Sequence, residues 1–148
     1  MIRAIIQQVV EGVIKRFTAS GRPDEMIESR EYFQHYGFTS RPKSGAEGIV
    51  ILMPGNYYMI ASDDRRYRLQ IEEGEAALYD DLGQKVHLTR AGIEASSPLK
   101  ITASAPEVDM VATTKITMTA PEVDVSVTEL LHFDGNGTAR QITERFIA

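Results

Sequence analysis

Residues 100–114 read KITASAPEVDMVATT and residues 115–129 read KITMTAPEVDVSVTE, identical at 9 of 15 positions. Adjacent copies of one short segment code for stacked, equivalent units, which rules out many folds at once. Inside the repeat, Ile101, Ala103 and Ala105, then Val108, Met110 and Ala112, then Ile116, Met118 and Ala120, then Val123, Val125 and Val127 form four runs of alternating apolar residues. Alternation of this period gives a strand one apolar face. Pro106 and Pro121 fall at the same place in each copy, where the fixed φ and the missing N–H favour a corner over a ladder position. Each unit of 15 residues therefore predicts two short strands and two bends.

Strands of this length with one apolar face and free edges are not stable singly. The simplest cover is further copies of the same chain, because identical segments closed into a ring bury identical faces about one axis. The expected homotrimer has a core of Ile101, Ala103, Val108, Met110, Ile116, Met118, Val123, Val125 and Val127. Burial of each Val or Ile contributes about 1.5–3 kcal/mol, so the threefold sum makes a rigid shaft. An ordinary β-sandwich is the plainer alternative. Ala, Thr and Ser dominate here, whereas a sandwich core calls for larger residues.

The 148 residues allow one domain or two small ones. With no cysteine there is neither a disulfide framework nor a thiolate nucleophile or ligand. A net charge of −5 with scattered basic residues argues against nucleic acid as the main partner. No apolar run reaches membrane-spanning length, and the start lacks the pattern of a secretory signal, so synthesis in a cytoplasm is expected.

Near the start, Ile2, Ile5, Ile6, Val9, Val10 and Val13 recur at helical spacing, which predicts an amphipathic helix over residues 2–11. Its polar face carries too few cations for a membrane anchor, so packing against a barrel or a partner is expected. Alternation over 13–18 and 26–32 around the turn residues Ser20, Gly21, Arg22, Pro23 and Asp24 predicts a hairpin. Further strands are expected at 48–53, 57–61, 67–71, 76–79 and 84–88, separated by turn signals. Many short strands in about 80 residues suggest a small barrel. The expected division is a helix over 1–12, a barrel over 13–90 and a repeat region over 91–148.

Three stretches, HYGFTSRPKSGAEGIVIL from His35, DDRRYRL from Asp63 and GEAALYDDLGQKVHLTRAGIE from Gly74, resemble the baseplate spike family of phage Mu and related contractile-tailed phages, often called baseplate assembly protein V. The resemblance covers most of the chain. It implies an all-β trimer with an N-terminal barrel of the oligonucleotide/oligosaccharide-binding (OB) type and a C-terminal intertwined triple-stranded β-helix. The implied location is the virion tail baseplate. The implied role is mechanical: a spike attached to a baseplate hub protein, leading the tube as the sheath contracts and breaching the host outer membrane.

Relatives of that kind end in an apex where a His-X-His pair from each of three chains encloses an iron ion. Here His132-Phe133-Asp134 stands in its place, so His132 and Asp134 are weak candidates for a metal ion at the tip. A lone His after a strand is more often merely hydrogen-bonded. The following DGNGT resembles the opening of a calcium loop, but its twelfth position is Arg145 where Glu is needed, so a turn explains it better. A spike without the histidine apex is expected to be short and to take a separate small tip protein.

Catalysis finds no support. The pairs Asp63-Asp64, Glu72-Glu73 and Asp80-Asp81 are adjacent residues, whose side chains diverge in a strand and cannot share one proton transfer. There is no nucleophile elbow and no phosphate-binding glycine loop. The competing class is a binding module for an oligosaccharide or single-stranded nucleic acid, with Tyr57, Tyr58, Arg65, Arg66 and Tyr67 as a stacking and basic patch. The plainer expectation is that Tyr57 and Tyr67 pack in the barrel while Arg65 and Arg66 meet acidic residues of a neighbouring chain or of the hub.

Overall fold

The computed structural model describes residues 1–126. The chain divides into two compact units, Met1–Ala103 and Ser104–Ala148. The first unit holds eight strands: β1 Ile2–Val10, β2 Arg16–Ser20, β3 Met26–Tyr32, β4 Glu47–Met53, β5 Asn56–Asp63, β6 Ala76–Tyr79, β7 Lys85–Leu88 and β8 Ile93–Ser96. The first five close into a barrel in the order β1-β2-β3-β5-β4, and β6-β7-β8 form a sheet of their own. Barrel neighbours run antiparallel except β3 and β5, which run parallel and complete the ring.

The expected N-terminal helix is instead strand β1, paired to β2 on one side and β4 on the other. Its spacing looked helical because of a bulge. Ile6 and Gln8 face consecutive residues Ala19 and Thr18, so Gln7 is the extra residue. The inward set therefore runs Ile2, Ala4, Ile6 and then jumps phase to Val9. A phase slip within nine residues imitates the i, i+4, i+7 pattern of a helix. Opposite the bulge, Ile6 exchanges backbone hydrogen bonds with the 45–46 corner: its N–H donates to Ala46 at 2.8 Å and its carbonyl accepts from Gly45 at 2.8 Å. Gly45 sits at φ +89, a conformation that residues with a Cβ rarely adopt.

A second slip occurs in β3, where three residue steps from Ile27 to Arg30 oppose two steps of β2. Ser29 adopts φ +50 there. Its N–H reaches Thr18 Oγ1 at 3.3 Å and its carbonyl accepts from Arg16 Nη1 at 2.9 Å. The core lies inside the barrel, built around Phe17, Ile6, Ile27, Met59 and Val50 with Ala4, Ala19 and Ala46 between them. Gly48 is part of this packing, since a Cβ there would collide with Met59 Cε and stand 2.9 Å from Sδ. Tyr32 is buried with its hydroxyl on Ser62 Oγ at 2.5 Å.

The connection from β3 to β4 spans residues 33–46 without a strand or helix and is tied down from below. Lys15 Nζ donates to Gln34 Oε1, Thr39 Oγ1 and the Ser40 carbonyl at 2.9, 2.8 and 2.7 Å, and pairs with Glu11 at 3.0 Å. Arg41 Nε adds a bond to the Val9 carbonyl at 3.1 Å. The strand expected at 67–71 is absent: Tyr67 closes a turn on the Asp64 carbonyl, and the following residues join no ladder. The strands expected at 76–79 and 84–88 are present, but β6 and β7 pair with each other and with β8 rather than with the barrel.

Candidate assembly faces

Register fixes which residues share a face of the β6-β7-β8 sheet. Ala76, Leu88 and Ile93 form one row across the three strands, and Leu78, Val86 and Ala95 form the next row on the same side. All six are apolar, and all six are exposed, Leu78 at 62% and Ile93 at 76%. The opposite side carries Ala77, Tyr79, Lys85, His87, Glu94 and Ser96. On that side His87 is buried and Ala77 and Lys85 are half-buried, while Tyr79, Glu94 and Ser96 are exposed. His87 Nε2 stands 3.0 Å from Glu75 Oε2. A sheet with one wet side ordinarily turns its apolar side to the core, and here the six apolar residues face outward instead.

Glu75 anchors this side. Besides His87, its carboxylate accepts from the backbone N–H of Glu72 at 3.0 Å and of Arg90 at 2.9 Å. Those donors, Glu72 and Arg90 ahead of His87, hold its carboxyl below the usual range. Asp80 shapes the β6–β7 turn. Burial pushes its carboxyl up, but the backbone N–H groups of Gln84, Leu82 and Gly83 and the Gln84 side chain outweigh burial and hold it low.

The repeat makes the second face. Over residues 104–126 no strand forms within the chain, and bends fall at Pro106, at Thr113 and Thr114, and at Pro121. The first unit thus has the two bends that its residues predict, and the described part of the second has the one at Pro121. Ile101, Ala103, Val108, Met110, Ile116, Met118, Val123 and Val125, all expected in a trimer core, are exposed and are not brought together within one chain. Val127, His132 and Asp134 lie outside the described residues. Among the described residues no group of three or more His, Cys, Asp or Glu could hold a metal ion.

Each arginine of the aromatic and basic patch has a carboxylate of this chain within 4 Å, although Glu47, the neighbour of Arg65, is shared with Arg3. Arg66 binds both carboxylate oxygens of Asp64, at 2.8 and 2.7 Å, and the Ser44 carbonyl at 3.0 Å, with its guanidinium 5.4 Å from the Tyr67 ring centre. Arg65 reaches Glu47 at 3.5 Å. Arg68 pairs with Asp63, and Lys43 with Asp81, which raises the Lys43 ammonium above its ordinary value. The acidic partners expected in a neighbouring chain are therefore supplied by this chain. Tyr57 packs against the core and donates to Glu25 at 2.8 Å, as expected, while Tyr67 is partly exposed under Lys43 and Arg66. A cleft of about 710 Å³ lies beside this cluster, lined among others by Phe38, Lys43, Asp63, Asp64, Tyr67 and Tyr79. Of the four aspartates that line it, Asp63 and Asp64 are engaged by Arg68 and Arg66, and Asp81 by Lys43. What sequence reasoning missed is the six-residue face of β6-β7-β8. The signal was present as alternation in each strand, but only the register shows that the three apolar sides coincide.

The family described as Bacteriophage Mu Gp45, N-terminal, matches residues 3–66, the stretch that builds the closed barrel. The baseplate puncturing device gp45 of Escherichia phage Mu is 27% identical over 147 residues, covering 94% of this chain and 75% of that protein. No solved structure matches the chain. The resemblance carried by the three sequence stretches is thus borne out by both matches: this chain is similar to a phage Mu-type baseplate spike protein, through its barrel and over most of its length.

Proposed function

We propose that this protein is the structural central spike of a contractile-tail baseplate, a homotrimer that is not an enzyme. Its barrel is of the OB type. The five-stranded ring in the order β1-β2-β3-β5-β4, with one parallel contact, supports that assignment. Residues 91–148 wind with two further copies into a triple-stranded β-helix. The observation that carries the reading is the repeat. Bends recur at Pro106 and Pro121, the same place in each unit, yet among the described residues its apolar side chains stay exposed and its backbone joins no ladder. A segment patterned for strands but lacking partners within the chain calls for partners outside it.

The similarity to a Mu protein named as a baseplate puncturing device supplies the setting. In that setting the spike attaches to a hub protein in the virion baseplate, carries a small tip protein at its far end, and is driven through the host outer membrane. A shaft of this kind acts by stiffness, and its chemistry is packing rather than bond-making. Light scattering at micromolar concentration tests the reading. A mass three times 16.5 kDa is expected, and a stable species at 16.5 kDa would sink the spike. Gold-labelled antibody at the baseplate of intact particles checks the location.

The binding-module alternative gains nothing from the geometry. Arg65, Arg66 and Arg68, which would meet a polyanion, are already engaged by Glu47, Asp64 and Asp63.

A further inference from the structure

The closed barrel and the β6-β7-β8 sheet share no ladder, so something other than backbone pairing sets the place of one against the other. Residues 64–75 connect them, and the stretch 68–74 joins no ladder and forms no helix. It ends on Gly74 at φ +82, in the left-handed region that suits glycine. Between barrel and sheet lies the cleft of about 710 Å³, with Ser62 and Asp63 on the barrel side and Ala77, Leu78 and Tyr79 on the sheet side. Among the described residues, one polar side-chain link runs from residues 1–67 to residues 76–103: the ion pair of Lys43 with Asp81.

We propose that Lys43 and Asp81 form an ionic strap across this cleft, holding the small sheet to the barrel, and that the sheet swings about residues 68–74 when the strap opens. The strap lies within one chain and does not depend on the threefold reading above.

Both ends of the strap sit on firm supports. Lys43 belongs to the 33–46 connection, next to the corner that bonds Ile6. The Ala46 N–H donates to the Lys43 carbonyl at 3.1 Å, and Arg66 Nη2 donates to the Ser44 carbonyl at 3.0 Å. The Lys43 ammonium also stands 5.5 Å from the centre of the Tyr67 ring, which attracts it from the barrel side. Asp81 follows Asp80, whose carboxylate accepts the N–H groups of Leu82 and Gln84 at 2.9 Å each and so fixes the β6–β7 turn. Two stiff brackets joined by one polar contact, with irregular chain as the pivot, are the parts of a hinge.

The strength of the contact suits a reversible catch. The side chains of Lys43 and Asp81 are 57% and 28% exposed. An exposed pair shifts a balance between two positions by no more than about fivefold, and added salt weakens it further. Because β8 continues into the repeat, whatever moves the sheet moves the chain that follows.

The chain has no cysteine, so Glu28→Cys/Glu94→Cys places one spin label on β3 and one on β8, at exposed residues that do not line the cleft. Labelled full-length chain is assembled with a large excess of unlabelled chain, so that each particle carries one labelled pair, and pulsed electron resonance reads the distance. A single narrow distribution is expected for the native strap at low salt. Lys43→Asp and Asp81→Lys, which set like charges across the cleft, should each shift and broaden it. The exchanged variant Lys43→Asp/Asp81→Lys should bring the narrow distribution back. Raising salt to about 1 M, where screening acts within about 3 Å, should move the native chain toward the single variants without any substitution. A distribution unchanged in both single variants and at high salt would show that the sheet is held by other means, and the proposal falls. An exchanged variant that stays as broad as the single ones would also overturn it, because the pairing of charges would then not be what holds the sheet.

Discussion

Nε2 of His87 lies 3.0 Å from Oε2 of Glu75 on the polar side of the small sheet, and the same carboxylate accepts two backbone N–H groups. The folded-state carboxyl is therefore held below 4.5. A depressed folded value means a contribution that is complete above the unfolded carboxylate range and lost as pH falls through the folded value. The difference in thermal midpoint between the native chain and Glu75→Gln should be largest near neutral pH and should shrink as pH drops below 4.5. A gap that stays constant down to the acid limit would show that the carboxylate's charge is irrelevant to the sheet.

Lys15 holds the 33–46 connection by three donors and is itself nearly sealed from water. Lys15→Met removes those bonds; Gln34 Oε1 and the Ser40 carbonyl keep each other's N–H donors, but the loss of three bonds from a charged, part-buried donor should cost about 1–3 kcal/mol. Hydrogen exchange should quicken over residues 34–40 while the β1–β4 ladder stays protected. Equal loss of protection in both would mean that the clamp supports the whole barrel.

Gly48 and Met59 should behave as a coupled pair. Gly48→Ala places a methyl against the fully buried Met59 side chain, with an overpacking cost of about 1–3 kcal/mol. In a Met59→Ala background the same change should be nearly free, because the clash is gone. Denaturation of the four proteins in the cycle measures the coupling.

The repeat yields the harshest test. Val123→Asp or Val125→Asp would set three like charges about the axis of the proposed trimer, and unpaired buried charges cost several kcal/mol, or about that much per chain. Loss of the trimer by light scattering is expected for both. A heat-stable trimer from either variant would contradict the inward assignment of these valines.

Much of this molecule was legible in its residues. Alternation and turn chemistry are local, so β3, β4, β6 and β7 and the bends at Pro106 and Pro121 could be read directly. The resemblance to the Mu spike rested on three idiosyncratic stretches, and identity of residues needs no structure to be recognised. Tertiary structure alone decided three matters. It turned the helical spacing of residues 2–11 into a bulged strand, because Gln7 is extra only relative to the neighbouring β2. It closed the barrel at β5 and gave β6 and β7 to another sheet, because hydrogen-bond partners lie far apart in sequence. It paired Arg65, Arg66 and Arg68 with this chain's own carboxylates and brought six apolar residues from three strands onto one exposed side. Periodicity determines which residues within a strand share a side. Only register determines which strands share it, and therefore which face remains to be covered.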